Sequence, residues 1–340
     1  MDPPLPAIHR GVPFAALRAR DRVRRSGAPR HRDRAMTAKR VLFCHRLNLG
    51  DLVCASPALQ WLRQRNPGDA FRLLTNDFCA NIARMMPEFE HVYAYSKIKL
   101  NAPAEWRMLW KARRWMADRI LGLCPSPDRR LAWRMRLLGS VAEPDFNDAP
   151  EHIAERLAWS FGWSGEEPLP PAKLRPPANP GVGQDVIIYV SARKPSNRPT
   201  VAQIIAIIEL LRQRHPGIEV GVYGVPDAPK SAAHVPNMEV QLAMRSALAK
   251  IGLELRTPGQ QEMFTTLAGC GSMIAPDGGL SHIAAGFGKA VVTMTGNIDP
   301  KVWWPYTPRT RSIQTASKQV ADLDPADVVA EWELVLASPA

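Results

Sequence analysis

The sequence predicts an α/β fold made of two Rossmann-like domains facing across a cleft, and three observations predict it. Short apolar runs alternate with stretches of helical spacing through most of the chain. In each half, one such run ends at a glycine-bearing turn that holds an acid and leads straight into a helix. Between the halves lies a stretch dense in proline, Pro168, Pro170, Pro171, Pro176, Pro177 and Pro180, which reads as a semi-rigid linker over 166–184. The resulting division is a basic tail over 1–36, a first domain over 37–165, a second over 185–315 and a C-terminal helix over 316–340.

The tail carries nine arginines against three aspartates within residues 1–35, half of the net charge of +12 of the whole chain. Its five prolines and lack of apolar period read as disorder. It has no signal-peptide apolar core, its arginine richness resembles transit sequences, and Met36 stands as an alternative start. The first strand is read at Val41–Cys44. It runs into His45-Arg46-Leu47-Asn48-Leu49-Gly50-Asp51, and a helix over 55–64 follows, with Pro57 in its first turns where a missing N–H matters little. Strands are read at 71–74 and 91–95, with a short helix over 82–86 between them.

Residues 97–139 hold eleven Lys or Arg against three acids, interleaved with Trp106, Trp110, Trp115 and Trp133. The pattern fits two basic amphipathic helices broken at Pro125 and Pro127. Either the tryptophans face the core and the cations face water, or the stretch, with Arg113 and Arg114 as its centre, receives an anionic partner: a phosphorylated glycolipid, an anionic membrane or nucleic acid. No nucleic-acid-binding motif supports the last. A helix over 149–161 ends the first half.

The second half repeats the pattern. A strand over 186–190 leads into the turn 191–199, which carries Arg193, Lys194 and Arg198, and a helix over 201–211 follows. Strands at 218–223 and 251–255 and a helix over 260–267 precede the most informative stretch. There the apolar run 272–275 ends at Pro276-Asp277-Gly278-Gly279, helical spacing covers 280–287, and a second apolar run spans 290–295. Two adjacent glycines let the backbone approach a ligand, and the helix start offers free N–H groups to an anion. Asp277 sits where open parallel sheets bind ligands, or else caps the helix. Asp324 and Pro325 open the last helix as N-cap and first residue, which is the favoured reading of the D-x-D at 322–324 over metal binding.

Several classes are disfavoured. No run of about 18 apolar residues suggests a membrane span. The five cysteines are widely spaced, without a C-x-x-C pair, which reads as reduced thiols in a cytoplasmic protein. Dinucleotide, P-loop and hydrolase-elbow motifs are missing.

The pairing of RLNLGDLVCASPALQWLR (46–63) with APDGGLSHIAAGFGKAVVTMTGNIDP (275–300), and the intervening HIAERLAWSFGW (152–163), resembles glycosyltransferase family 9, the ADP-heptose:lipopolysaccharide heptosyltransferases. The resemblance covers about residues 39–310. It implies a GT-B fold and an inverting, metal-independent transfer of a sugar from a nucleotide diphosphate, here ADP-heptose, to a lipopolysaccharide core or related glycan. No cofactor is implied, since the nucleotide sugar is a substrate. The family's base corresponds to Asp51, and the resemblance assigns the N-terminal half to the acceptor, with Asn48, Gly50, Arg113 and Arg114 on the acceptor side. Its donor segment D-T-G-x-x-H corresponds to Asp277, Gly278, Gly279, Leu280, Ser281 and His282. Glycine replaces threonine at 278, and no lysine stands at 197, leaving Lys194 and Arg198 as nearby substitutes. Family acceptors are glycolipids made at the inner face of the cytoplasmic membrane, which implies a cytoplasmic protein with a peripheral contact there.

The chemistry of the residues agrees. Inversion needs one carboxylate to take the acceptor's proton, and Asp51 at a strand end suits it, the alternative being a helix-start acid. The leaving diphosphate needs positive potential, which the helix start at 279–281 and Lys194 or Arg198 would supply. Asp277 suits the donor sugar hydroxyls. His282 touches phosphate or packs, and His45 is read as a structural strand-end histidine. Two functions from different classes follow: a working glycosyltransferase, or a catalytically silent relative that binds nucleotide sugar or glycan.

Overall fold

The computed structural model describes residues 9–10, 38–96, 103–124, 136–139, 141–142, 146, 148–181, 183–226 and 238–338. The chain divides into two compact units, with the boundary at Arg175 and Pro176, inside the proline-dense segment. Each is an open, almost wholly parallel sheet with helices.

The order of elements is β1 (His9–Arg10), β2 (Arg40–Cys44), α1 (Leu49–Cys54), α2 (Ser56–Arg65), β3 (Ala70–Asn76), α3 (Asp77–Met85), β4 (His91–Tyr95), α4 (Pro103–Arg114), β5 (Arg119–Gly122), β6 (Val141–Ala142) and α5 (Ile153–Ser160). After the boundary come β7 (Val186–Tyr189), α6 (Val201–Arg214), β8 (Val220–Tyr223), α7 (Met238–Lys250), β9 (Leu255–Arg256), α8 (Gln260–Gly269), β10 (Ser272–Pro276), α9 (Gly279–Gly286), β11 (Ala290–Thr295), α10 (Pro300–Trp303), β12 (Thr310–Gln314) and α11 (Pro325–Leu336).

The N-terminal sheet has the order β4-β3-β2-β5-β6, parallel throughout. The chain steps outward from β2 on one side, then returns to the other side with β5. The carboxyl end of β2 is therefore at the point where strand order reverses, which is where such sheets open a crevice for ligands. Phe43 on β2 fills the core beneath, with Phe71, Phe89 and Phe161 packed edge-on at centroid distances of 5.1, 5.9 and 6.0 Å.

The C-terminal sheet has the order β1-β12-β11-β10-β7-β8-β9. Its reversal lies between β7 and β10, which pair directly. The strands β7, β10 and β11 read as unbroken apolar runs because both faces are covered. On one face Val186, Ile188, Ile274 and Val292 pack with Ile204, Ile207, Leu211, Val328 and Trp332 of α6 and α11. The C-terminal helix is thus part of this unit's core. Asp324 caps it, its carboxylate accepting from Ala326 N at 2.8 Å, while Asp322 accepts from Ser317 at 2.6 Å. The D-x-D is committed to local structure, as read from the sequence.

Three sequence readings change. The tail is not wholly outside the fold, because His9 and Arg10 pair antiparallel with Gln314 and Ile313; the rest of 1–36 lies outside the described residues. The stretch 97–139 holds one described amphipathic helix, α4, and then a strand, β5. The second helix was read over residues that lie largely outside the described ones. Finally, 166–175 is docked rather than free. Leu169 and Leu174 are buried, Glu167 accepts from Trp61 Nε1 and from Arg65, and Lys173 exchanges hydrogen bonds with the Ser56 hydroxyl. Proline removes donors from this segment, but its leucines still seek cover. The five cysteines are buried and form no disulfide.

Candidate functional site

In the N-terminal unit, β2 runs out at Cys44 and the chain turns through His45 to Asn48 into α1. Asn48 is the N-cap and Asp51 the third helical residue. The backbone N–H of Asn48 donates to Asp51 Oδ2 at 2.9 Å, and its side-chain amide donates to the same oxygen at 3.2 Å. Two bonds from Asn48 onto one oxygen fix the rotation of a half-buried carboxylate at the mouth of the sheet's reversal point. Both readings of Asp51 meet here, as helix-start acid and as carboxylate at a ligand crevice. Asn48 is exposed, while Gly50 is buried inside the first turn.

A residue the sequence reading passed over holds this turn in place. Asn76, at the end of β3, donates from Nδ2 to the carbonyls of Arg46 and Leu47 at 3.3 and 3.2 Å, and its Oδ1 caps α3 through Cys79 N at 2.9 Å. The signal was present as an Asn-Asp pair directly after a strand, a helix-start pattern. Cys79 lies close enough to Asp51 that the carboxylate adds to the effect of burial and pushes the thiol up to about 12, so it stays neutral. His45 is fully buried, with Nδ1 3.3 Å from Thr75 Oγ1. Burial first and Arg46 second bring it down to about 3, so its imidazole is uncharged, as suits a structural histidine.

The sequence also assigned Arg113 and Arg114 to the acceptor side, and the structure does not bring them to Asp51. They end α4, beside Trp115, whose carbonyl accepts from Arg40 Nη1 at 3.1 Å. Arg40 begins β2, whereas Asp51 follows its end, and a five-residue strand separates the two by roughly 16 Å. Helix α4 runs back toward the amino ends of the strands, as a parallel crossover must.

In the C-terminal unit, three loops meet at the carboxyl ends of β7, β10 and β11. Asn197, buried in the 3₁₀ turn Pro195–Asn197, laces them together. Its Nδ2 donates to the Asp277 carbonyl at 3.3 Å and lies 3.5 Å from Asp277 Oδ2, while its Oδ1 accepts from Gly296 N at 3.1 Å. Ser196 adds a bond to Asn297 Oδ1 at 3.1 Å. Gly296 has no room for a side chain: a Cβ there would lie 2.4 Å from both Asn197 Oδ1 and the Ser196 carbonyl. Neither role was visible in the sequence, since both depend on loops about 100 residues apart along the chain.

Gly278 is the N-cap of α9 and has φ of 170°, extended backbone that any residue adopts. A Cβ at 278 would meet only the Pro276 carbonyl, at 3.9 Å. The two glycines are therefore not both needed for a tight turn. Asp277 lies just before the N-cap, half-buried, with its N–H on the Met294 carbonyl at 2.9 Å. Ser281 is fully buried and its hydroxyl donates to the Gly278 carbonyl at 2.7 Å. His282 is buried behind it, whereas Gly279 and Leu280 are half-buried at the helix start. Of the cations, Arg198 is turned into its own loop, with Nε on the Ala192 carbonyl at 3.1 Å and Nη2 on that of Arg193 at 3.3 Å. Lys194 is exposed.

Residues 230–332 match the family model described as "Glycosyltransferase family 9 (heptosyltransferase)", a span that includes the whole Asp277–His282 turn. No curated protein sequence matches the chain. Among solved structures, a family 9 glycosyl transferase from Veillonella parvula aligns with a TM-score of 0.69 at 12% identity, covering 88% of this chain and 97% of its own. The E. coli heptosyltransferase WaaC with ADP aligns with a TM-score of 0.68 at 16% identity, covering 87% and 99%. E. coli ADP-heptose lps heptosyltransferase II aligns with a TM-score of 0.68 at 18% identity, covering 87% and 98%. At such identities the likeness speaks for the fold, which is GT-B, and the match over residues 230–332 makes that part of the C-terminal unit similar to glycosyltransferase family 9.

Proposed function

We propose that the protein is an inverting glycosyltransferase that moves heptose from ADP-heptose to a lipopolysaccharide core or related glycan, without help from a metal. The observation that carries this reading is the recurrence of one device, an acid in a glycine-bearing turn at the carboxyl end of a sheet's reversal-point strand. Asp51 follows β2 and Asp277 follows β10. That solved relatives of the same fold were obtained with ADP and with ADP-2-deoxy-2-fluoro heptose supports the choice of donor.

In this reading Asp51 takes the proton of the acceptor hydroxyl as its oxygen bonds to the anomeric carbon. The bond from that carbon to the diphosphate breaks on the opposite face, and the electron pair leaves with the nucleoside diphosphate. Asn48 holds the carboxylate in one rotation. The leaving group is stabilised by the N–H groups of Gly279 and Leu280 and by Lys194, while Asp277, steadied by Asn197, receives sugar hydroxyls.

One observation favours a second reading, a catalytically silent relative that binds nucleotide sugar or glycan. Asn197 stands where the family resemblance expects lysine and is committed to Asp277 and Gly296, and Arg198 is committed to two carbonyls. Much of the positive charge for a leaving diphosphate then rests on Lys194. The test is ADP release from ADP-heptose with a heptose-deficient lipopolysaccharide core as acceptor, with chelator present. Turnover supports transfer. Thermal stabilisation by ADP-heptose without turnover supports the silent relative, and neither effect across a panel of nucleotide sugars removes both readings.

A further inference from the structure

Helix α4 carries a surface that the transfer reaction, as read above, does not use. Its inner side is ordinary core: Leu109 and Ala112 are buried, with Met108 and Trp115 packed against the same cluster. Its outer side is not an ordinary solvated face. Trp106 is 38% exposed and Trp110 57% exposed, and beyond the helix end Met116 is 66% exposed. At about 100° per residue, Trp106 and Trp110 fall within about 40° of each other and form one aromatic strip. Arg113 borders the strip on one side, and Arg114, Arg107 and Lys111 border it on the other, all exposed.

Two contacts show how the strip is framed. The Arg114 guanidinium carbon lies 4.5 Å over the Trp110 ring, so charge and ring are presented together. Arg113 Nη1 donates to the Leu137 carbonyl at 2.9 Å, tying the rim of the strip to a neighbouring segment. A groove runs along the strip, lined by Trp106, Trp110, Leu109, Arg113 and Leu137.

We propose that this face of α4 docks the protein peripherally on an anionic lipid bilayer. A strip of tryptophan bordered by arginine and lysine matches the two layers of such a surface, rings at the level of the glycerol backbone and cations among phosphates. The charge is complementary: α4 itself carries Arg107, Lys111, Arg113 and Arg114, all exposed, against the single acid Glu105. No described helix is long and apolar enough to cross a membrane, so a surface contact is the form an association through α4 would take. The proposal rests on the transferase reading only in naming the membrane as the place where a glycolipid acceptor would be met.

The test uses the full chain and sedimentation with phosphatidylcholine vesicles, with and without phosphatidylglycerol, at low and high salt. Binding is expected only with phosphatidylglycerol and is expected to fall as salt rises. Lys111→Gln with Arg114→Gln should weaken it about 5-fold per charge removed. Trp106→Ala with Trp110→Ala should weaken it too, and abolish a blue shift of tryptophan emission on those vesicles. The charge pair sits at exposed positions and guards against misfolding of the aromatic pair. No binding, salt-insensitive binding, or binding unchanged in both variants overturns the proposal. So does concentration-dependent self-association that Trp110→Ala removes, without vesicle binding, since that makes the strip a contact between copies of the chain. ADP release on a soluble acceptor is read separately, so loss of docking and loss of turnover are distinguishable.

Discussion

The side chain of Asn197 holds Asp277 by its carbonyl and stands 3.5 Å from its carboxylate, across the strand-order reversal of the C-terminal sheet. Its amide oxygen holds Gly296 at the same time. Asn197→Ala should strand buried polar groups on both partners and lower stability by about 1–3 kcal/mol. If Asn197 also steadies Asp277 for the donor, affinity for ADP-heptose should fall more than affinity for ADP, because the carboxylate is assigned to the sugar. Calorimetric titration with both ligands checks this, and equal losses would leave Asn197 a structural clamp only.

Gly278 and Gly296 should respond oppositely to a side chain. Gly278→Thr meets no obstruction, supplies the missing N-cap of α9 and should change stability by only a few tenths of a kcal/mol. It should also raise affinity for ADP by restoring a hydroxyl beside the helix start. Gly296→Ala places a methyl 2.4 Å from two oxygens, must push the Pro195–Asn197 turn away, and should lower the melting temperature clearly. Thermal unfolding of the two variants decides it.

Asp51→Asn should reduce turnover by roughly 10²–10⁴-fold while donor affinity and melting temperature stay close to wild type. The asparagine oxygen can still accept from the Asn48 N–H, so the turn survives. Wild-type turnover in this variant would return Asp51 to a purely helix-starting role.

Glu88 makes stability depend on pH. It is buried, accepts from the Ser56 hydroxyl at 3.0 Å, and burial pushes its carboxyl up to about 7 despite that bond and the nearby Arg175 and Arg63. The folded state then binds a proton more tightly than the unfolded chain, whose value is near 4.5. Stability should therefore fall as pH rises from about 4.5 to about 7 and level off above, a loss on the order of a few kcal/mol. Glu88→Gln keeps an acceptor for Ser56 and should remove that slope. Urea unfolding at pH 5 and pH 8 for both proteins checks the sign.

Much of the fold was legible because it rests on local pattern. The unbroken apolar runs of β7, β10 and β11, the Pro57 and Pro325 helix starts and the two glycine-bearing turns are all visible in neighbouring residues. What escaped was set by distant parts of the chain. Asn76 and Asn197 look like ordinary loop polar residues until the loops they join are brought together. The docking of 166–175 was hidden behind its prolines, although Leu169 and Leu174 are apolar enough to demand cover. Arg113 and Arg114 were placed by charge alone, and charge carries no information about which end of the sheet a crossover helix reaches.

The pairing of His9 with Gln314 has a consequence for the order in which the protein is made. The N-terminal unit has all its parts once Leu174 has left the ribosome. The C-terminal sheet does not, because its edge strand β1 precedes its partner β12 by about 300 residues. At 5–20 residues per second β1 waits roughly 15–60 s for the strand it pairs with. That contact can form only after β12 has been made, which places the closing of this edge after the N-terminal unit is complete.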